Sequence, residues 1–181
     1  MLEQNGLKEN SPREMITFVQ SNIQFTLRVA AVAIHDGHVL LHRAEGDDFW
    51  ALPGGRVELL EPAAESLKRE MKEEMDATVR VERLLWVVEN FFDHHISHHE
   101  LGLYFSIDLE PDFGHYDKTR SFYGHEDGPD GNTTLKLIFQ WFPIDRLADV
   151  SLFPTFLRTA LQALPQHTQH VVHHDVADGG K

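Results

Sequence analysis

The chain has 181 residues, of which 41% are hydrophobic, and a formal net charge of −13. That length buries one substantial core, so one domain is expected. Zero cysteines exclude disulfides, thiolate metal sites and a cysteine nucleophile, and an acidic field without a Lys/Arg stripe argues against nucleic acid as a partner. No apolar run reaches the ~18 residues of a membrane span. The polar N-terminus also lacks the basic-then-apolar order of a signal peptide. The expectation is a cytoplasmic protein with neither a membrane nor a nucleic-acid partner.

Residues 1–13 read as a flexible arm, 14–165 as the domain and 166–181 as a loosely held tail. Phe25 to Ile34 has the composition of a buried strand, Asp36-Gly37 is a hairpin turn, and His38 to His42 returns as the next strand. Phe49 to Leu52 reads as a short strand feeding Pro53-Gly54-Gly55, a tight turn where backbone can approach a ligand. A helix follows from about Pro62 to Met75, with Leu60, Ala64, Leu67, Met71 and Met75 on its core stripe. Thr78 to Glu89 and Leu101 to Leu109 read as strands joined by a histidine-rich turn over 93–100. Imidazole suits transition metals, but adjacent histidines on a turn diverge, so solvated turn residues are the expectation there. Glu110 to Thr133 reads as a long polar loop that helps close the site. Leu135 to Phe142 is the next strand, and Pro154 to Leu164 a terminal amphipathic helix. Strands with helices at two separate positions argue for a mixed sheet between helices.

The chemistry concentrates in the helix. Glu70, Glu73 and Glu74 gather near its C-terminal end, where the macrodipole disfavours anions and acids three or four apart repel each other. Glu70 and Glu74 are one turn apart at the rim of the core stripe, and Glu73 lies further toward solvent. Carboxylates collected against these costs call for a hard divalent cation.

The segment resembles the Nudix box, Gly-x5-Glu-x7-Arg-Glu-U-x-Glu-Glu-x-Gly-U with U a bulky aliphatic residue. Gly55, Glu61, Arg69, Glu70, Glu73 and Glu74 match in register and Met71 fills the first U. Asp76 replaces the last glycine and Ala77 is small for the final U. That glycine is a left-handed helix cap, a conformation that Asp tolerates, so the departure touches the cap and not the carboxylates.

The resemblance implies an α/β fold, the Nudix α/β/α sandwich with a mixed β-sheet between helices. It implies Mg²⁺- or Mn²⁺-dependent cleavage of a pyrophosphate bond in a nucleoside diphosphate linked to another moiety. By position, Glu70, Glu74, Glu73 and the Gly55 carbonyl resemble metal ligands, and Arg69 with Glu61 the pair in which the arginine orients carboxylates. The base varies in the family, and Glu100 is the candidate, alongside Glu73, Glu74 and Arg69 as catalytic residues. Trp50, Phe91, Phe92 and Tyr104 are candidates for stacking on substrate. Of His42 and Arg43, which follow the second strand, Arg43 is the stronger phosphate contact. The partner is a small phosphorylated substrate, with a homodimer admitted. An isopentenyl-diphosphate isomerase would need a cysteine, and a decapping enzyme a basic surface. A catalytically silent Nudix-like regulator would have lost box carboxylates, and none is lost here.

Overall fold

The computed structural model describes residues 14–127 and 133–175, so the expectation for residues 1–13 lies outside the described residues. Eight strands form one mixed sheet: β1 (Thr17–Gln20), β2 (Ile23–His35), β3 (His38–Ala44), β4 (Val79–His94), β5 (Ile96–Leu109), β6 (Phe122–Asp127), β7 (Thr134–Pro143) and β8 (Gln169–His174). Their order is β6-β7-β3-β2-β5-β4-β8, with β1 paired to β2. The β2–β5 and β4–β8 pairs are parallel and the others antiparallel.

Alternation of side chains along β2 splits the core into two layers. Val29, Ala31 and Ala33 pack against Leu67, Met71 and Met75 of helix α1 (Ala63–Met75). Ala30 and Val32 face the other way, toward Leu147 of a 3-10 helix (Ile144–Asp149) and Leu157 of the one-turn helix α2 (Leu157–Ala160). The expected sheet between helices is therefore the observed α/β architecture.

One feature of the sheet places the site. β2 and β3 pair only beside their hairpin turn, at Ile34–Val39 and His35–His38, and then part. The chain from Ala51 to Val57 fills the wedge. Val29 N–H donates to Gly55 O and Ala31 N–H to Pro53 O on one side, and His42 N–H and Ala51 N–H donate to each other's carbonyls on the other. Gly54, at φ 143°, lies so close to β2 that an added Cβ would stand 2.1 Å from Val29 O. Only glycine fits there.

The acidic helix has the expected bounds, with Pro62 as its N-cap. Asp76 ends it in the left-handed conformation, φ 53° and ψ 29°, its N–H donating to Lys72 O while Ala77 N–H donates to Met71 O. Aspartate thus does the job of the box glycine.

Six local expectations are corrected. Leu60 is not on the core stripe but 97% exposed, because the helix begins only at Ala63. Phe49 to Leu52 forms bridges, Ala51 with His42 and Trp50 with Leu152, rather than a strand. The histidines at 93–100 are not a turn: β4 and β5 run on to His94 and Ile96, and only His95, at φ 60°, turns the chain. The polar stretch 110–133 contains β6, which covers the outer edge of β7. The terminal helix is a single turn, since the chain must reverse to enter β8. That strand replaces the loosely held tail over Gln169–His174, pairing with the edge of β4 whose backbone groups would otherwise lack partners.

Candidate active site

Arg69 is the hub of the box. Its Nε and Nη2 donate to the two carboxylate oxygens of Glu61, both at 2.9 Å. Nη1 donates to Glu70 at 2.9 Å and to Glu73 at 3.1 Å, and Nη2 also reaches Arg56 O at 3.3 Å. One guanidinium thus ties the loop before the helix to two of its three acids. Desolvation works against the Arg69 charge, but Glu61 and Glu70 outweigh it and raise its pKa. Glu61 is held below the ordinary range: desolvation opposes its charge, but hydrogen bonds and charge attraction from Arg69, with hydrogen bonds from Ser66 and the Glu58 backbone, together outweigh it.

Glu74 is different. It is 2% exposed, and its Oε2 has no hydrogen-bond partner. Burial, with Glu70 and Glu126 nearby, pushes its carboxyl well above the ordinary value. Burial likewise raises Glu70 against the pull of Arg69. His42 Nδ1 lies 3.7 Å from Glu74 Oε2, also without a partner. Desolvation, with the Arg28 charge, lowers that imidazole to about 3, so it is neutral. Gly55 closes the cradle: an added Cβ would meet the Glu70 carboxylate at 2.3–2.4 Å.

These groups fit a hard divalent cation. The donors are carboxylate and carbonyl oxygens, and an orphaned buried carboxylate oxygen costs free energy until a cation or donor meets it. Among the described residues no three His, Asp or Glu side chains already enclose a cation position. Glu70 and Glu73 both accept from Arg69 Nη1.

Beside this acidic end opens a cavity of about 460 Å³ between β2, β3, β4 and β5. Arg43, Glu100 and Tyr104 line it, as do His42, Phe92 and Glu126. Trp50 and Phe91 do not. Trp50 packs edge-on against Phe142 at 4.8 Å, with the Arg43 guanidinium 5.2 Å from its ring. Phe91 stacks between His99 and His174 on the opposite face of the sheet, since its neighbours Asn90 and Phe92 take the cavity face. Glu100 sits within β5 rather than at its start, and burial raises its carboxyl. The 110–121 segment lies elsewhere, with Tyr116 stacked near Trp141 and His35. Among the described residues of the stretch expected to close the site, only Glu126, on β6, lines the cavity.

Sequence reasoning missed Arg28, Asn90 and Asp175. Arg28 spans the cavity floor and donates to Gly54 O at 3.0 Å. Glu100 and Glu74 raise its pKa against desolvation. A lone arginine in an otherwise apolar strand was the available signal, because a buried charge must be paired. Asn90 and Asp175 carried no such signal.

Residues 24–164 match the family model described as the NUDIX domain. The chain belongs to the Nudix family. Every box carboxylate is in place. Among solved structures, a UDP-X diphosphatase is similar at 23% identity and TM-score 0.54, covering 81% of this chain, which spans only 66% of that one. The MutT protein from Bacillus halodurans is similar at 19% identity and TM-score 0.52, covering 80% of this chain and 89% of the other. A NUDIX hydrolase from Nitrosomonas europaea gives 18% identity and TM-score 0.51, covering 83% and 79%. At these identities the likeness is one of fold. No curated protein sequence matches the Nudix chain at a comparable level.

Proposed function

We propose that this Nudix protein is a Mg²⁺-dependent hydrolase, with Mn²⁺ as an alternative ion, that cleaves the pyrophosphate bond of a nucleoside diphosphate linked to another moiety. The observation that carries the reading is the buried Glu74, its Oε2 unpartnered, beside the Gly55–Glu70 cradle. Glu70, Glu74 and the Gly55 carbonyl are the groups that would hold the ion, with Glu73 beside them. When bound, the ion neutralises phosphate charge and makes a water nucleophilic at neutral pH.

The chain's own residues do the rest. Arg69 fixes the directions of Glu61, Glu70 and Glu73 through its fork of hydrogen bonds. Arg28 holds the Gly54 carbonyl and places a positive charge on the cavity floor. Glu100 is the candidate base: it lines the cavity, and its raised pKa moves it toward the range a general base needs. Arg43 and Tyr104 line the cavity as substrate contacts.

A catalytically silent Nudix regulator is the second reading, and the complete set of box carboxylates weighs against it. A cytoplasmic setting goes with the proposal, supported by the absence of cysteine. Among the described residues no helix is long and apolar enough to cross a membrane. A homodimer also belongs to it, supported by Phe18 and Ile23 exposed near the β1–β2 turn and testable by sedimentation.

Purified protein with Mg²⁺ should hydrolyse at least one member of a panel of nucleoside diphosphate derivatives. Excess chelator should abolish turnover, and Mg²⁺ or Mn²⁺ should restore it. Full activity in chelator, or binding without turnover across the panel, would sink the reading.

A further inference from the structure

Asn90 lines the cavity, and its side chain has no account in the scheme above. It is 3% exposed, on β4, and its Oδ1 has no hydrogen-bond partner. A buried amide oxygen left unpaired is costly, and native structures retain one where something else supplies the donor. Here the open side is the cavity, which Asn90 lines together with Glu100, Tyr104 and Arg28.

The register says what the donor looks like. Asn90 and Glu100 are direct cross-strand partners on β4 and β5. Side chains so paired stand about 5 Å apart on one face. Two oxygen acceptors carried on such a neighbouring pair can each meet one of two adjacent O–H donors. The Glu100 carboxylate has two oxygens, so accepting one hydroxyl leaves the other free for a proton. The position along the strands fits a group next to the phosphates. Arg28, which binds Gly54 O at the cation end, pairs with Gly102, and Glu100 lies two residues further along β5, about 7 Å away. Tyr104 lies against the same ground: an added Cβ on Gly102 would meet its ring at 2.6 Å, so the buried ring covers Gly102 beside the two acceptors.

We infer that Asn90, with Glu100 opposite, forms a subsite for a vicinal diol, the hydroxyls of the sugar attached directly to the pyrophosphate. The inference rests on the proposed pyrophosphohydrolase reading for which end of the cavity holds phosphate. The diol has two sources, the ribose of the nucleoside or a sugar on the other side of the pyrophosphate. The chemistry at Asn90 is the same for both.

The test uses the whole protein with Mg²⁺ and phosphate monoesters, which have no pyrophosphate bond to cleave. Calorimetry compares adenosine 5′-monophosphate with its 2′,3′-dideoxy analogue in one arm. The second arm compares glucose 1-phosphate with 3-deoxyglucose 1-phosphate, which has no pair of adjacent hydroxyls. In at least one arm the diol-bearing ligand should bind roughly tenfold or more tightly, because a site built to bond hydroxyls rejects analogues that lack them. The arm that responds identifies the source. Asn90→Leu should erase that preference while binding the deoxy ligand as the parent does, and its Tm without ligand should be unchanged or higher. No preference in either arm, or a preference that survives Asn90→Leu, overturns the inference. So does equal weakening of both ligands with a lowered Tm, which would make Asn90 a structural residue. Diol preference in a protein that hydrolyses no diphosphate would leave this subsite standing and remove the hydrolase reading. Turnover without diol preference would do the reverse.

Discussion

Arg69 holds Glu61 through two parallel hydrogen bonds, Nε to Oε1 and Nη2 to Oε2, each 2.9 Å long. The seven residues between them run from the N-cap Pro62 through the first turns of α1, so the pair fixes how the loop meets the helix. A lysine cannot reproduce that fork, because its ammonium is a point charge. Arg69→Lys should therefore cost about 1–3 kcal/mol of stability and lower kcat far more than it raises KM. Urea unfolding and steady-state kinetics check both. A variant with the parent's kcat would show that the fork does not align the acids.

Glu74 is buried against its own preference for water, with Glu70 and Glu126 adding to the desolvation. Glu74→Gln should leave the metal-free protein as stable or slightly more stable, and should nearly abolish activity. Mg²⁺ should raise the Tm of the parent by mass action and leave that of the variant unmoved. Thermal melts with and without Mg²⁺ decide it, and a clearly lower metal-free Tm would mark Glu74 as structural.

Two glycines should fail in different ways. At Gly124, on β6, a Cβ would stand 1.8 Å from the backbone oxygen of Glu74. Neither backbone can yield, so Gly124→Ala should cost several kcal/mol, at or beyond about 3 kcal/mol. At Gly55 the Cβ would meet only the end of the Glu70 side chain. That end can swing, so Gly55→Ala should cost little stability and much activity. Equal losses of Tm in the two variants would contradict this.

Asp175 ties β8 to the cavity wall. Its Oδ1 accepts from Thr155 N at 2.9 Å and Thr155 Oγ1 at 2.6 Å, and lies 2.9 Å from His173 Nε2. Desolvation opposes its charge, but the Thr155 bonds and His173 prevail, so its folded pKa is depressed. Its stabilisation is thus present above the ordinary aspartate pKa and lost as pH falls through the lower folded value. Asp175→Asn should cost about 1–2 kcal/mol near neutrality, and the gap to the parent should close as pH drops below the ordinary aspartate pKa. A gap that stays constant down to acid pH would show that its charge contributes nothing.

The box was legible in the sequence because its information is local. Helical periodicity put Glu70 and Glu74 at the rim of the core and Glu73 outside it, and the structure buries the first two and leaves Glu73 the most open. Asp36-Gly37 gave the hairpin, and tolerance of the left-handed region gave Asp76 its place as the cap. What one chain segment cannot specify is which distant segment it will face. Phe91 and Phe92 are chemically alike, and only the register of β4 against β5 and β8 sends one to the cavity and the other to the far face. The tail's QHVVHH has too little apolar contrast to announce a strand, and it becomes one because the edge of β4 offers unpaired backbone groups. The sequence alone determined the acids, their spacing and the family. The tertiary structure decided which carboxylate loses its water, which arginine crosses the cavity and which amide is left facing it, since burial and cross-strand pairing exist only once the sheet has closed.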